Sequence, residues 1–271
     1  MLTPTFNALL REAQFTKEML GTGATQIRLA NYATKGIYFQ AFTSLSTGLE
    51  RIGKLCLMLD YFIETGGKFP TLKEMKHEVG HKLELLYHRS QEVVQRRSIQ
   101  LRFMHDLSDP VRSAIISVLH DFADGDRYSN IDVLITGGAS ADPIARWFNE
   151  VDMPLFSSCV SQKKKEQIAH NARVGAQLMS SFSMVMHTAE TGEEISTFEK
   201  ASRCTGIWEA VAPHRQLAVL QVIRYWTELI RELGYAAQAL PGEHIPHFEE
   251  IFGMFYNDDS YLKSRKTWEK L

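Results

Sequence analysis

The sequence predicts an all-α protein, an antiparallel helical bundle of about seven helices, and three observations lead to that class. Between Gln26 and Glu64 there is no proline, and apolar residues recur at alternating spacings of four and three. This is the period of a helix packed lengthwise on a neighbour. Asp-Pro pairs at 109–110 and 142–143 are typical helix starts, an N-cap residue followed by proline. The helical period fails clearly in one segment only.

Local signals place the helices of the first half of the chain. The first long helix is expected to stop at Gly66 and Gly67, because glycine readily adopts the backbone conformation that closes a helix. Thr71 and Glu74 have the spacing of a capping box and open the next helix, and a third covers about 110–123. The predicted buried stripes are Leu45, Leu49, Ile52, Cys56, Leu59 and Ile63 on the first helix, and Leu72, Met75, Val79, Leu83, Leu86 and Val93 on the second.

In the second half, helices are expected from about 143, over 160–190 and from His214 to Leu240, with short helices after Pro246. The buried candidates within 160–190 are Ile168, Val174, Leu178, Phe182, Val185 and Met186.

The predicted domain organisation has three parts. Residues 1–124 form an N-terminal helical bundle, and residues 142–271 form C-terminal helices packed on it as a single domain. Between them, residues 125–141 lose the helical period and gather β-branched residues near glycines. This connecting segment is expected to be a short strand or an irregular, ordered loop.

Composition excludes several classes of protein. With 44% hydrophobic and 23% charged residues the 271-residue chain can bury a core, and 30 basic against 32 acidic side chains give no overall basic field. Three widely spaced cysteines, Cys56, Cys159 and Cys204, argue against a disulfide framework. The longest apolar stretch, Leu55 to Ile63, contains Asp60 and is too short to span a membrane. The expectation is a cytoplasmic protein with no membrane segment.

One string matches a catalytic motif. His77, Glu78 and His81 form an H-E-x-x-H sequence, in which two histidines one helical turn apart bind zinc and the glutamate activates water as the base. A zinc-dependent metallohydrolase of the metallopeptidase type is therefore an alternative function. It needs a third ligand, for which His105 or Asp106 are the candidates.

The residues around that string favour an ordinary polar helix face. Lys76 and Lys82 flank it, Glu84 and Tyr87 occupy the positions where metzincins place glycine and histidine, and no strand is predicted before Thr71. No metal is therefore expected, and zinc remains the alternative cofactor.

A second pattern covers Phe39 to His88. Glu50 and Lys54 form a Glu-x-x-x-Lys face, and a Gly-His-x-Leu-x-x-Leu-Tyr pattern follows on the next helix. This pair of helices resembles the central helices of HEPN-domain proteins, over about 50 of the 271 residues. The resemblance implies a helical bundle, often dimeric, that cleaves RNA in toxin or phage-defence settings or binds nucleotides in inactive members. The second pattern consists of Gly80, His81, Leu83, Leu86 and Tyr87.

Active HEPN proteins carry an arginine, four to six spacer residues and a histidine. Here Arg97 and Arg112 precede His105 and His120 by eight positions, which leaves seven spacers. The pattern that would hold a phosphate beside a proton-transferring imidazole is absent. The resemblance therefore implies a non-catalytic or divergent member that binds RNA or a nucleotide. A homodimer through long amphipathic helices is expected.

A second candidate site lies in the predicted loop. Arg127 can clamp a phosphate and Tyr128 can stack on a base, whereas the structural alternative pairs the arginine with Asp124 or Asp126 in a solvated connection. The predicted polar site thus comprises Glu50, Lys54, His81, Arg127 and Tyr128. A third alternative for the whole protein is a protein-interaction bundle without a ligand.

Overall fold

A computed structural model describes residues 3–71, 73–74, 82–136 and 142–269. Helices dominate in these residues, which confirms the all-α class, and a two-stranded antiparallel sheet pairs β1 (His187–Thr188) with β2 (Glu194–Ile195). The helices are α1 (Pro4–Leu29), α2 (Gly36–Glu64), α3 (Leu83–Arg96), α4 (Pro110–Asp124), α5 (Ser129–Thr136), α6 (Pro143–Trp147), α7 (Met153–Cys159), α8 (Gln162–Met179), α9 (Phe198–Gln238), α10 (Phe248–Phe252) and α11 (Asp259–Ser264), with 3₁₀ turns at Tyr32–Thr34, Asp126–Tyr128 and Gly253–Phe255 and a π-helical turn at Phe148–Asp152.

Two glycines bring α1 and α2 together. A Cβ atom on Gly23 would lie 2.6 Å from Cγ of Leu45, and one on Gly48 would lie 2.8 Å from Cδ2 of Leu20. Contacts this close leave no room for a side chain, so the backbones approach each other directly. Because residue 20 meets residue 48 and residue 23 meets residue 45, these two helices run in opposite directions.

The second half of α9 packs against both α1 and α2. Most residues from Val211 to Leu233 are buried, and Trp226 donates a hydrogen bond from its indole nitrogen to Ser90 Oγ of α3 at 3.1 Å. The predicted stripe of α2 is buried from Leu45 to Leu59. Residues from both predicted parts of the chain therefore share one apolar core.

A further unit, which we call the arm, packs beside this core. It consists of α8, the hairpin and the first half of α9, and α8 packs mainly on α9. Two glycines allow the close approach: a Cβ on Gly206 would lie 2.7 Å from Ile168, and one on Gly175 would lie 2.8 Å from Phe198.

The connecting segment differs from the prediction. Residues 126–128 form a 3₁₀ turn and residues 129–136 form α5, so the expected strand or irregular loop is wrong there. Ile131, Leu134 and Ile135 have the i, i+3, i+4 spacing of one helix face, and the strand preference of β-branched residues is a weak prior. The rest of the predicted loop, 137–141, lies outside the described residues.

The predicted second helix is interrupted. The capping box at its start is confirmed, because the Thr71 amide donates to the Glu74 carboxylate at 2.7 Å and the Glu74 amide donates to Thr71 Oγ1 at 3.4 Å. At Lys82, however, the backbone is extended (φ −96°, ψ 104°), and α3 begins anew at Leu83. The apolar stripe predicted for this helix continues on both sides of Lys82, so the sequence gives no signal of the break.

Two predictions about the C-terminal half are also wrong. The helix expected over 160–190 ends at Met179 and is followed by the hairpin, and four of its expected buried residues are exposed. The last long helix begins at Phe198, capped by Thr197, and continues through Pro213, which the sequence analysis placed before its start. The four exposed residues are Val174, Leu178, Phe182 and Met186.

Candidate functional site

A cleft of about 310 Å³ lies between α2 and the end of α4, and we call it the α2–α4 cleft. It brings together two residues from separate predicted motifs, Glu50 on α2 and Arg127 in the 3₁₀ turn after α4. Its volume is at the lower end of the range for small-molecule sites. Its complete lining is Thr43, Ser46, Thr47, Glu50, Phe122, Ala123, Asp124 and Arg127.

Three hydroxyl groups in this cleft were missed by the sequence analysis. Thr43, Ser46, Thr47 and Glu50 are spaced i, i+3, i+4 and i+7, which puts them on one face of α2. Thr43 and Ser46 donate to carbonyls of their own helix, whereas Thr47 Oγ1 forms no hydrogen bond within the described part of the chain. These three hydroxyl residues precede Glu50 at helical spacing, and that spacing is a sequence signal that could have identified them.

Glu50 and Lys54 form an ion pair one turn apart on α2. Lys54 Nζ donates to Glu50 Oε1 at 2.5 Å, and both side chains are mostly covered. Lys54 also lines an adjacent groove of about 350 Å³ between α1 and α2, together with Glu12 and Arg51, which are themselves paired at 2.6 Å. The Glu50–Lys54 pair therefore lies between the α2–α4 cleft and this groove. The Lys54 ammonium group is close to the cleft.

Arg127 lines the cleft, and Tyr128 is the next residue in the same 3₁₀ turn. Arg127 donates from Nη2 to the carbonyl of Ala123, one of the carbonyls left unpaired at the end of α4. Among the described residues it forms no ion pair with Asp124 or Asp126. Such a pair was the structural alternative that the sequence offered for this arginine. Its guanidinium carbon lies 5.8 Å from the centroid of the Tyr128 ring, and both side chains are exposed. A cation and an aromatic face are thus open to solvent side by side.

His81 is the remaining residue of the predicted polar site, and together with His77 and Glu78 of the H-E-x-x-H string it lies outside the described residues. The extended backbone at Lys82 means that a residue stripe from 77 to 88 does not run along one continuous helix. The described ranges contain no group of three or more His, Cys, Asp or Glu side chains that could hold a metal ion.

In both predicted arginine–histidine pairs, the arginine is held by other side chains. Arg112 and His120 are both on α4, eight residues and so about 12 Å apart along the axis. The Arg112 guanidinium is used structurally: it donates to Gln221 Oε1 and pairs with Asp109 at 2.8 Å. Arg97 pairs with Asp60 at 2.6 Å. Neither arginine is available to hold a phosphate beside its histidine.

A buried polar network was also missed by the sequence analysis. Arg215 of α9 pairs with Asp152 at 2.8 Å and donates to Tyr38 Oη at 2.9 Å, while Trp147 donates to the other oxygen of Asp152 at 3.2 Å. Asp152 ends the π-helical turn. Because Arg215 lies in a long apolar helix run, no local pattern distinguishes it from a surface arginine.

Glu190 lies beside this network. A small cavity of about 20 Å³, enough for one water molecule, is lined by Glu190, Asp152, Cys204, Trp208 and Arg215. Burial raises the pKa of Glu190, and the charge of Asp152 raises it further, against the opposing effect of nearby cations. Arg215 Nε and Trp208 Nε1 are buried and make no hydrogen bond in the described part of the chain. A single water fits this cavity, whereas an organic substrate does not.

Comparison with protein-family models, curated proteins and solved structures finds no match to this chain. Within the described ranges, none of the helices has both the length and the apolar character needed to cross a membrane. The function must therefore be inferred from the site itself.

Proposed function

We propose that this chain is a non-catalytic, HEPN-like helical protein, arranged as an antiparallel bundle, that binds one ribonucleotide unit in the α2–α4 cleft. The unit is either a free nucleotide or part of single-stranded RNA. The observation that carries the proposal is the convergence of Glu50 and Arg127, 77 residues apart in sequence, on one cleft with three hydroxyl groups.

Each part of a ribonucleotide has a matching group. The Arg127 guanidinium suits a phosphate, with the Lys54 ammonium nearby. The exposed Tyr128 ring offers a face for a base. The carboxylates of Glu50 and Asp124 can accept hydrogen bonds from ribose hydroxyls, and the 2′-hydroxyl is the group that distinguishes RNA from DNA. A cleft of this size holds about one nucleotide, so other nucleotides of a strand would lie on the surface.

The test is a titration of labelled single-stranded RNA, followed by fluorescence anisotropy, with competition by free ribonucleoside monophosphates. Replacing Arg127 by alanine should weaken binding at least about tenfold, because a charged contact to phosphate is lost. Tyr128→Ala should cost about 1–3 kcal/mol of binding free energy. Glu50→Gln should reduce the preference for RNA over DNA of the same sequence.

Matched controls distinguish this site from general charge effects. Arg89→Ala removes a partly exposed arginine on α3 that pairs with Glu92, and Tyr235→Ala removes an exposed tyrosine with an arginine above it at 5.6 Å. Both should bind as the wild type does. Equal losses in Arg89→Ala and Arg127→Ala would contradict the site, and the absence of any binding would favour the protein-interaction alternative.

A further inference from the structure

The tip of the arm exposes an unusual amount of apolar side chain. Phe182, Met184 and Met186 are 86%, 88% and 78% exposed, although large apolar side chains are normally covered. We call the following set the arm-tip surface. It consists of Val174, Leu178, Met179, Phe182, Met184 and Met186.

The area of this surface is large for a monomer. At roughly 150 Å² for a fully exposed side chain, the lower end of the aromatic range, six side chains that are 39–88% exposed present on the order of 600 Å², the upper end of the range for the largest apolar patch on a monomer. Protein–protein interfaces cover about 800 Å² on each partner. The arm-tip surface alone is therefore comparable with one side of such an interface.

Its charge indicates which partner covers it. Residues 174–186 contain no Asp, Glu, Lys, Arg or His. Two copies of one chain bring identical charges to a symmetric contact, so they associate best where the surface carries none. A nucleic acid or a highly charged protein would select a charged surface instead. The apolar residues of α5, by comparison, have Asp132 among them in the sequence.

The apolar faces of the two longest helices, α2 and α9, do not offer another such surface. The apolar stripe of α2 and the second half of α9 are buried in the core of the chain itself. We propose that two copies of this chain associate through their arm-tip surfaces. This inference is independent of the proposed nucleotide site.

The experiment is size-exclusion chromatography with light scattering on the full chain over a range of concentrations. The wild type should have about twice the 30.9 kDa mass of one chain. Met184→Lys should raise the dissociation constant at least about tenfold, because it puts like charges into an apolar contact. The matched control is Leu134→Lys on α5, since Leu134 is 85% exposed, and it should remain dimeric.

A second measurement does not depend on destabilising the contact. In a Cys159→Ser background, which removes the exposed native thiol, Met184→Cys should form a disulfide-linked dimer under mild oxidation and Leu134→Cys should not. A wild type that stays monomeric at all concentrations would overturn the proposal, as would a dimer that dissociates in Leu134→Lys but not in Met184→Lys. A monomer that binds phosphatidylcholine vesicles would assign the surface to a membrane and equally overturn it.

Discussion

At the scale of single residues, Arg215 is fixed in the core by several partners. Its charge is buried with Asp152, and its remaining hydrogen bonds go to Tyr38 and the carbonyl of Ala30. A buried ion pair contributes little net stability compared with apolar residues, but removing one partner leaves an uncompensated charge and costs about 3–5 kcal/mol. The network therefore connects α1, α2, the π-helical turn and α9 in one specific arrangement.

Glu190 should make stability depend on pH. Because burial raises its pKa above the usual 4.5, the folded state keeps the proton at pH values where the unfolded chain has lost it. The free energy of unfolding therefore falls as pH rises from about 4.5 through the folded pKa. Glu190→Gln removes this dependence. Urea unfolding between about pH 4 and pH 8 should show the wild type losing stability relative to the variant as pH rises.

The control for this measurement is Glu166→Gln, at an exposed position on α8. This variant keeps Glu190, so its free energy of unfolding should still fall as pH rises through that range. A difference between Glu190→Gln and the wild type that does not change with pH would contradict the assignment of the pH dependence to this carboxyl.

At the scale of elements, close contact between helices depends on glycine at particular positions. Gly23 and Gly48 join α1 to α2, and Gly175 and Gly206 join α8 to α9. Elsewhere, propensity is overridden: α9 continues through Pro213, although proline inside a helix costs about 3 kcal/mol. Burial of 18 of the following 25 residues of α9 is a much larger favourable term.

Gly23→Ala should destabilise the protein. Its Cβ would lie 2.6 Å from Leu45 Cγ and 3.1 Å from the Leu45 backbone nitrogen, and overpacking of this kind costs about 1–3 kcal/mol. The gain in helix propensity, about 1 kcal/mol, offsets only part of that cost. Thermal unfolding should show a lower Tm for Gly23→Ala. Gly36→Ala, with nothing within 4 Å, should be neutral or slightly stabilising, and equal Tm shifts for both would refute the packing argument.

At the scale of the whole molecule, helices from the two halves of the chain cover each other's apolar faces. The apolar faces of α1 and α2 are covered by α9, and the C-terminal segment returns to α1, where the Trp268 amide donates to Thr25 Oγ1 at 2.8 Å. An N-terminal fragment would expose the residues that α9 now buries. The organisation of 1–124 and 142–271 as one domain therefore has a direct test.

The fragment 1–124 should not fold cooperatively alone, because its core lacks α9. Circular dichroism with urea titration should show a shallow transition or none. Co-expression with the fragment 142–271 should yield a complex with a single cooperative transition. A fragment 1–124 that unfolds sharply and as late as the full chain would mean that the N-terminal part is an independent domain.

Local features could be predicted from the sequence. Asp109 and Asp142 cap their helices as expected, Thr71 and Glu74 form their capping box, and Gly66 and Gly67 take up positive φ after α2. In each case the interaction lies within one helical turn, so the neighbouring residues alone decide it. In the candidate site, Glu50, Arg127 and Tyr128 could be predicted from their residue types. Their positions relative to one another could not be predicted from the sequence.

The sequence by itself determined the helical class, the α2 stripe, the end of α2 and the capped helix starts at Pro110 and Pro143, because these depend on periods and contacts of a few residues. Only the tertiary structure decided that Glu50 and Arg127 share a cleft, that Arg215 is buried and that Phe182 and Met184 are exposed. The physical reason is that burial depends on which distant helix covers a face. Two apolar faces with the same period look alike in sequence, whether the chain covers them or leaves them exposed.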